Sequence, residues 1–450
     1  MSWTDFLPGG LRRRVETGVG ARAVLSNITW LSFDRVVRMG VGLVVGVWVA
    51  RFLGPGDYGL LSFSLAFASL LGPIAFLGLD SIVVRELVRS PDRREELVGT
   101  AFGLKAAGGV VAIVLSVVLA ALLRPGDNLT LVLVAIAATI FLVQSFDAID
   151  FWFQSRVESR YTVYAKNAAF IIASVFRVIL IAVGATVVAF GWAGLLEAMI
   201  ASLGLLLVYW KRGGQFAAWR LDFTTARTLL TASWPLLLAG LSVAIYMRID
   251  QVMLGYMMDD VAVGTYSAAS KVVEVWYFIP GSIAASVFPA LVKARETGEG
   301  VYKKRLQLFY DSISSIGLII SALVSLGSGF LITLLYGDQY QGAIPILTIY
   351  AWASVPVFLG VATGQYLVLE NKIDVLLYRT LLGGATNVAL NIVLIPPLGG
   401  VGAAVATLVS QCVVTFSLLF FHGGGGQARA ILDSLNPVRL VRNTVRVLKA

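Results

Sequence analysis

Long apolar runs separated by short polar segments fill most of the chain. With about 20 mostly apolar residues needed to cross a hydrocarbon core of ~30 Å, the pattern predicts spans at 29–51, 58–79, 97–123, 129–151, 161–187, 190–210, 228–254, 262–292, 308–335, 342–369, 374–395 and 400–421. Pro73, Pro280 and Pro356 interrupt three of them. Membrane helices tolerate such breaks where neighbouring helices or water re-satisfy the freed backbone groups. The expected architecture is therefore an all-α polytopic membrane protein with twelve transmembrane helices.

The segments between the spans test that count, because Lys and Arg of short loops collect on the cytoplasmic side. Alternate segments, taken to be the inner ones and counted with the inner ends of the spans beside them, hold 27 Lys and Arg residues, among them Arg12, Arg85, Lys166, Arg227, Lys293 and Arg379. The intervening segments hold only Arg51 and Arg124. This asymmetry predicts an even number of spans with both termini cytoplasmic. It also assigns the net charge of +9 to topology, so nucleic acid is not an expected partner.

Composition agrees with lipid as the solvent. Of the 450 residues 58% are hydrophobic and 14% charged, and the mean hydropathy is +0.84. Soluble domains sit near 45–50% and 25%. A single cysteine, Cys412, and a single histidine, His422, exclude an intrachain disulfide framework, a Cys/His zinc cluster and a histidine-based triad. No cofactor or metal set emerges. Residues 1–26 carry Arg12, Arg13, Arg14 and Arg22 without an apolar core and small-residue cleavage site, so no removed signal peptide is expected. The expected outer connections, such as 52–57, 255–261 and 396–399, are too short to build an external domain. That weighs against a membrane polymerase or ligase and toward a transporter that is not an enzyme.

The chain divides naturally at a basic linker, 211–227, into six-span segments 29–210 and 228–421, with a basic N-terminal stretch 1–28 and a basic tail 422–450. Six spans are even, so two such halves have the same orientation. Short echoes support the division. Gly191, Gly194, Ala198 and Ser202 precede Gly399, Gly402, Ala406 and Ser410 by 208 positions, and Gly59–Ser62 pairs with Gly264–Ser267 after an acidic turn. The tail at 428–449 places Ile431, Leu435, Val438, Val441, Val445 and Leu448 opposite basic residues and predicts an interfacial amphipathic helix.

Several stretches in this order resemble the polysaccharide transporter family, the Wzx-type flippases of lipid-linked oligosaccharides and O-antigen in the MATE-like MOP exporter superfamily. They are RFLGPGDYGLLSFSLAF (51–67), FLGLDSIVVREL (76–87), DFWFQSRVESRYTVYAKN (150–167), RIDQVMLGYM (248–257), VGTYSAASKVVEVWYFIP (263–280) and LGGVGAAVATLVSQ (398–411). The resemblance implies two six-helix bundles around a cavity that opens alternately to each side of the cytoplasmic membrane. It implies as substrate a polyprenyl-phosphate or diphosphate-linked glycan, with membrane lipids and other surface-polysaccharide assembly proteins as partners. A cation-coupled multidrug exporter of the same superfamily is the alternative, and a peptidoglycan-precursor flippase a third reading.

An ionisable side chain inside a span costs at least ~2.5–3.5 kcal/mol on insertion scales, so each is a site candidate. The cations are Arg35, Arg38, Lys105, Arg177, Arg248 and Lys271, and they are the expected substrate contacts. Arg suits phosphate through its planar fork and Lys as a point charge. Carboxylates expected to line the cavity or couple a cation are Asp34, Asp250, Glu274 and Glu197, with Asp147 and Asp311 at similar depth. Helical spacing pairs Asp34 with Arg38 and Lys271 with Glu274. It leaves Arg35, Lys105, Arg177 and Arg248 without an acid at i±3 or i±4, although Arg177 and Glu197 can meet across a hairpin. Trp276, Tyr277, Tyr246 and Tyr266 are available for sugar stacking.

Overall fold

A computed structural model describes residues 19–370, 372–420 and 425–435, with side chains for 38–370, 372, 374–418 and 426–435. Among the described residues all regular structure is helical, as the apolar pattern predicts, and ten helical stretches are long and apolar enough to cross a membrane. Many large apolar side chains point away from the protein, including Leu122 at 73% exposure, Phe330 at 70% and Leu326 at 88%. Such faces are untenable in water and ordinary against lipid.

The first helix, α1 (Val19–Phe76), is hydrogen-bonded through 58 residues but is broken at Gly54, where φ is 73° and ψ 171°. A straight helix of that length would run ~87 Å, nearly three bilayer cores. Glycine accepts this positive φ without a Cβ penalty. Pro55 follows as the first residue of the second segment, where the missing N–H would have no helical partner in any case.

The chain forms two compact units. The first takes the described residues through Gly46 and Leu71–Leu241; the second takes Val47–Leu70 and the described residues from Ser242 onward. In the first unit follow α2 (Asp80–Arg89), α3 (Arg94–Leu123), α4 (Asn128–Val143), α5 (Ala148–Ser155), α6 (Arg160–Ala182), α7 (Val187–Lys211) and the start of α8 (Phe223–Met257). The short connections fold α3 with α4 and α6 with α7 into antiparallel hairpins. Asp127 caps α4 by accepting the Thr130 N–H at 3.0 Å. One core gathers Leu79, Val83, Val98, Ile149, Phe153 and Tyr209, and the Trp219 indole N–H donates to the Tyr209 hydroxyl at 3.1 Å.

The second unit continues with α9 (Asp260–Glu274), α10 (Phe278–Thr297), α11 (Glu299–Leu326), α12 (Ser328–Tyr336), α13 (Ala343–Tyr350), α14 (Ser354–Leu369), α15 (Ile373–Leu398), α16 (Gly400–Phe416) and α17 (Gly425–Ser434). The second segment of α1 crosses the start of α9 at two glycines. A Cβ on Gly59 would lie 1.7 Å from the Asp260 carbonyl oxygen, and one on Gly264 would lie 2.0 Å from that of Pro55. The two sequence echoes thus meet.

Two details differ from the sequence expectation. Arg379, counted among the inner-segment cations, lies inside α15 at 1% exposure. Its Nε donates to the Val414 carbonyl at 2.9 Å and its Nη2 to the Thr363 hydroxyl at 3.0 Å. Val414 sits in the last turn of α16, where helix carbonyls carry partial negative charge. Conversely, the described part of the expected interfacial tail packs on protein. Ile431 of α17 is fully buried, the Ser314 hydroxyl donates to the Ser434 carbonyl at 2.8 Å, and Gln307 donates to the Ala430 carbonyl at 3.0 Å. Residues 436–449 of that tail lie outside the described residues.

Candidate functional site

In the second unit, α8 and α9 bring three charged side chains together. Arg248 Nη1 lies 3.6 Å from Glu274 Oε1, and Lys271 Nζ lies 3.2 Å from Glu274 Oε2. Lys271 and Glu274 are one turn apart on α9, the pair that helical spacing predicts. Arg248 comes from α8, so its partner was invisible to same-helix reasoning. Two cations share one carboxylate, leaving a residual charge of +1. Lys271 is 45% exposed and Arg248 28%, whereas Glu274 is 18% exposed. The cations therefore offer open hydrogen-bond directions.

Two residues along α8, Asp250 points the other way and is 4% exposed. Its carboxylate accepts the Tyr266 hydroxyl at 2.6 Å, the Thr407 hydroxyl at 2.5 Å and the Asn391 amide at 2.6 Å. The Asn391 amide also faces Asn387 Oδ1 at 3.1 Å. No Lys or Arg among the described residues lies within ion-pair distance of it. Donors and acceptors are not fully matched here. Thr407 has one hydroxyl proton but two acceptors, Asp250 and the Ala403 carbonyl at 3.0 Å, and both Asn391 Oδ1 and Asn387 Nδ2 are buried without a partner. An oxygen-rich pocket built around a carboxyl group suits a small hard cation. Tyr266, expected to stack on sugar, is instead committed to Asp250 at 2% exposure.

In the first unit, Arg177 on α6 and Glu197 on α7 pair at 2.9 Å across the hairpin, which removes the argument that Arg177 lacks a partner. Arg38 donates to Asn167 Oδ1 at 3.0 Å and to the Lys166 carbonyl, and lies over the Phe170 ring. Lys166 bridges Asp147 at 3.0 Å and Asp150 at 2.9 Å. Lys105 is 2% exposed between the rings of Phe76 and Phe151, its ammonium 5.2 and 5.0 Å from their centres. Those faces supply cation–π attraction. The side chains of Asp34 and Arg35 lie outside the described residues, and so does the expected Asp34–Arg38 pair. Asp311 accepts the Gln307 amide at 2.8 Å.

Sequence reasoning missed Asn387, Asn391, Thr407 and Arg379. The two asparagines were findable, since they stand four apart within one span and so share a helix face. Thr407 and Arg379 gave no such signal, because their partners come from other helices.

Apolar helices in two units, with charged clusters held at span depth, define a multi-pass membrane protein of the transporter fold. The chain belongs to the family described as polysaccharide biosynthesis protein, whose pattern it matches over residues 24–295. It is 30% identical over 176 residues to the probable flippase AglR of Haloferax volcanii, a stretch that is 37% of this chain and 36% of that protein. The chain spans less than half the length of the curated relatives it matches. Its fold is that of the lipid II flippase MurJ in an inward closed conformation, with a TM-score of 0.71 at 15% identity over 94% of this chain and 93% of that one. It is also that of an inward-facing multidrug resistance MATE family transporter of the MOP superfamily, with a TM-score of 0.70 at 16% identity over 90% and 99%.

Proposed function

We propose that the protein is a flippase moving a polyprenyl-phosphate or diphosphate-linked oligosaccharide from the inner to the outer leaflet of the cytoplasmic membrane by alternating access. The observation that carries this reading is the Arg248–Glu274–Lys271 cluster, whose excess of one positive charge suits the phosphate that must cross the hydrocarbon zone. Family membership and flippase-named relatives support it. Lys105 and Arg38, in the first unit, are assigned to anion contacts of that unit on their depth. We count twelve crossings: ten apolar stretches, of which the 52-residue Arg38–Arg89 is broken at Gly54 and crosses twice, together with the 17-residue α16. Both termini are placed inside on the distribution of Lys and Arg.

Asp250 is assigned to a coupling cation, supported by the hydroxyl and amide oxygens gathered around its carboxylate. This also disfavours the exporter reading, because a carboxylate at 4% exposure is closed to a bulky cationic drug. The test is reconstitution. Purified protein in liposomes should translocate a labelled polyprenyl-phosphate glycan, and Arg248→Ala should lose most of that activity at equal protein level. Translocation of cationic dyes with no movement of the glycolipid would replace the flippase reading with the exporter.

A further inference from the structure

Among the described residues Glu274 is the one carboxylate within ion-pair distance of both Arg248 and Lys271, and its two oxygens are divided between them at 3.6 and 3.2 Å. Asp250 does not join them, being enclosed in its own hydrogen-bonded cluster. Charge counting then has a chemical consequence. With Glu274 ionised the three side chains sum to +1, which one phosphodiester, carrying a single negative charge, neutralises while Glu274 keeps its place. A diphosphate diester carries two negative charges. It would overfill the cluster unless Glu274 swung away. Exposure favours the same arrangement, since the cations at 45% and 28% present open donors while Glu274 at 18% is tucked between them. A like charge beside a ligand anion in a region of low dielectric is strongly unfavourable.

We propose that Glu274 is a specificity-determining counter-ion that sets the charge of the linkage this site accepts, tuning it to a glycan joined to its lipid by a single phosphate rather than by a diphosphate. This rests on the flippase reading. Arg248 and Lys271 are the contacts, and Glu274 positions them and limits the negative charge they accept.

The experiment uses the full chain in lipid nanodiscs with two probes that share lipid and sugar, a polyprenyl-monophosphate hexose and a polyprenyl-diphosphate hexose. The wild type should bind the monophosphate more tightly. Glu274→Gln, which raises the cluster to +2, should shift the affinity ratio toward the diphosphate by about tenfold. Lys271→Gln, which lowers it to zero, should weaken both lipids and the diphosphate more, so the two variants move the ratio in opposite directions and a general folding defect cannot imitate the pattern. Wild-type preference for the diphosphate, or an unchanged ratio in both variants with binding retained, would overturn the role of Glu274 and leave the flippase reading standing. Failure of the wild type to bind either lipid would overturn both.

Discussion

At the level of single residues, the second unit separates its charges by what surrounds them. Arg248 and Asp250 are two positions apart on α8, yet one faces a shared carboxylate and the other a set of neutral donors. Helical spacing predicted the Lys271–Glu274 pair and left Arg248 without an acid on its own helix. It could not supply partners from another helix, so Arg248 looked unpaired and Tyr266 looked free for sugar. The Tyr266 hydroxyl instead makes a charge-assisted bond to Asp250. Tyr266→Phe should therefore lower the stability of the solubilised protein by about 1.5–3 kcal/mol, read as a fall in thermal midpoint, and should weaken any cation-dependent stabilisation. An unchanged midpoint and an unchanged cation response would mean that the bond is idle. Arg379 makes the complementary point. Its guanidinium is fixed by a carbonyl in the last turn of α16 and by Thr363, so Arg379→Gln should cost about 1–3 kcal/mol while leaving the sidedness of labelling in the neighbouring loops unaltered.

At the level of elements, the apolar runs were the most legible part of the sequence, because lipid imposes a minimum length and an apolar face on every crossing helix. Their ends were less so. The predicted span 308–335 is divided in the structure at Gly327 between α11 and α12, and the 129–151 span contains a 3-10 turn at Gln144–Asp147. Loop-to-helix packing decides such details and leaves no periodic trace. The α6–α7 hairpin offers a direct test of one interhelical contact that hairpin geometry did foreshadow. Arg177→Met alone should destabilise by about 2 kcal/mol, less than the ~3–5 of a fully buried pair because both side chains keep some exposure. Arg177→Met combined with Glu197→Met should recover most of the loss. A double variant no better than the single would show that the ion pair is not what holds the hairpin. The α17 helix behaves as part of the core. Ala428 and Ile431 are fully buried, so ending the chain before Gly425 should expose the Leu306, Phe309 and Ile313 face and lower protein abundance.

For the whole molecule, the distribution of Lys and Arg makes the sharpest claim. In a Cys412→Ser background, Gly300→Cys should resist an impermeant thiol reagent in intact cells and react after permeabilisation, while Met258→Cys should react from outside. Labelling of position 300 in intact cells would reverse the orientation. The burial of Arg379 removes one cation from the inner tally without changing its sign, since 26 against two remains lopsided. Charge near loops thus predicts orientation without any knowledge of packing, whereas charge within spans can be read only after the helices are placed side by side.

The crossing of Gly59 and Gly264 has a further meaning. Each glycine faces the residue four positions before the other, Asp260 for Gly59 and Pro55 for Gly264, so the contact maps onto itself when the two strands of the echo are exchanged. That is the local geometry of an isologous interface, drawn here within a single chain. A motif placed on its own two-fold axis must be complementary to itself, and neither copy can drift alone. Gly59→Ala and Gly264→Ala should accordingly give similar, severe losses of folded protein, with the double variant unable to rescue either, because both added methyl groups collide with backbone rather than with each other. The resemblance between these turns is therefore matched by a steric reciprocity: the close approach that one copy demands of the other is demanded in return.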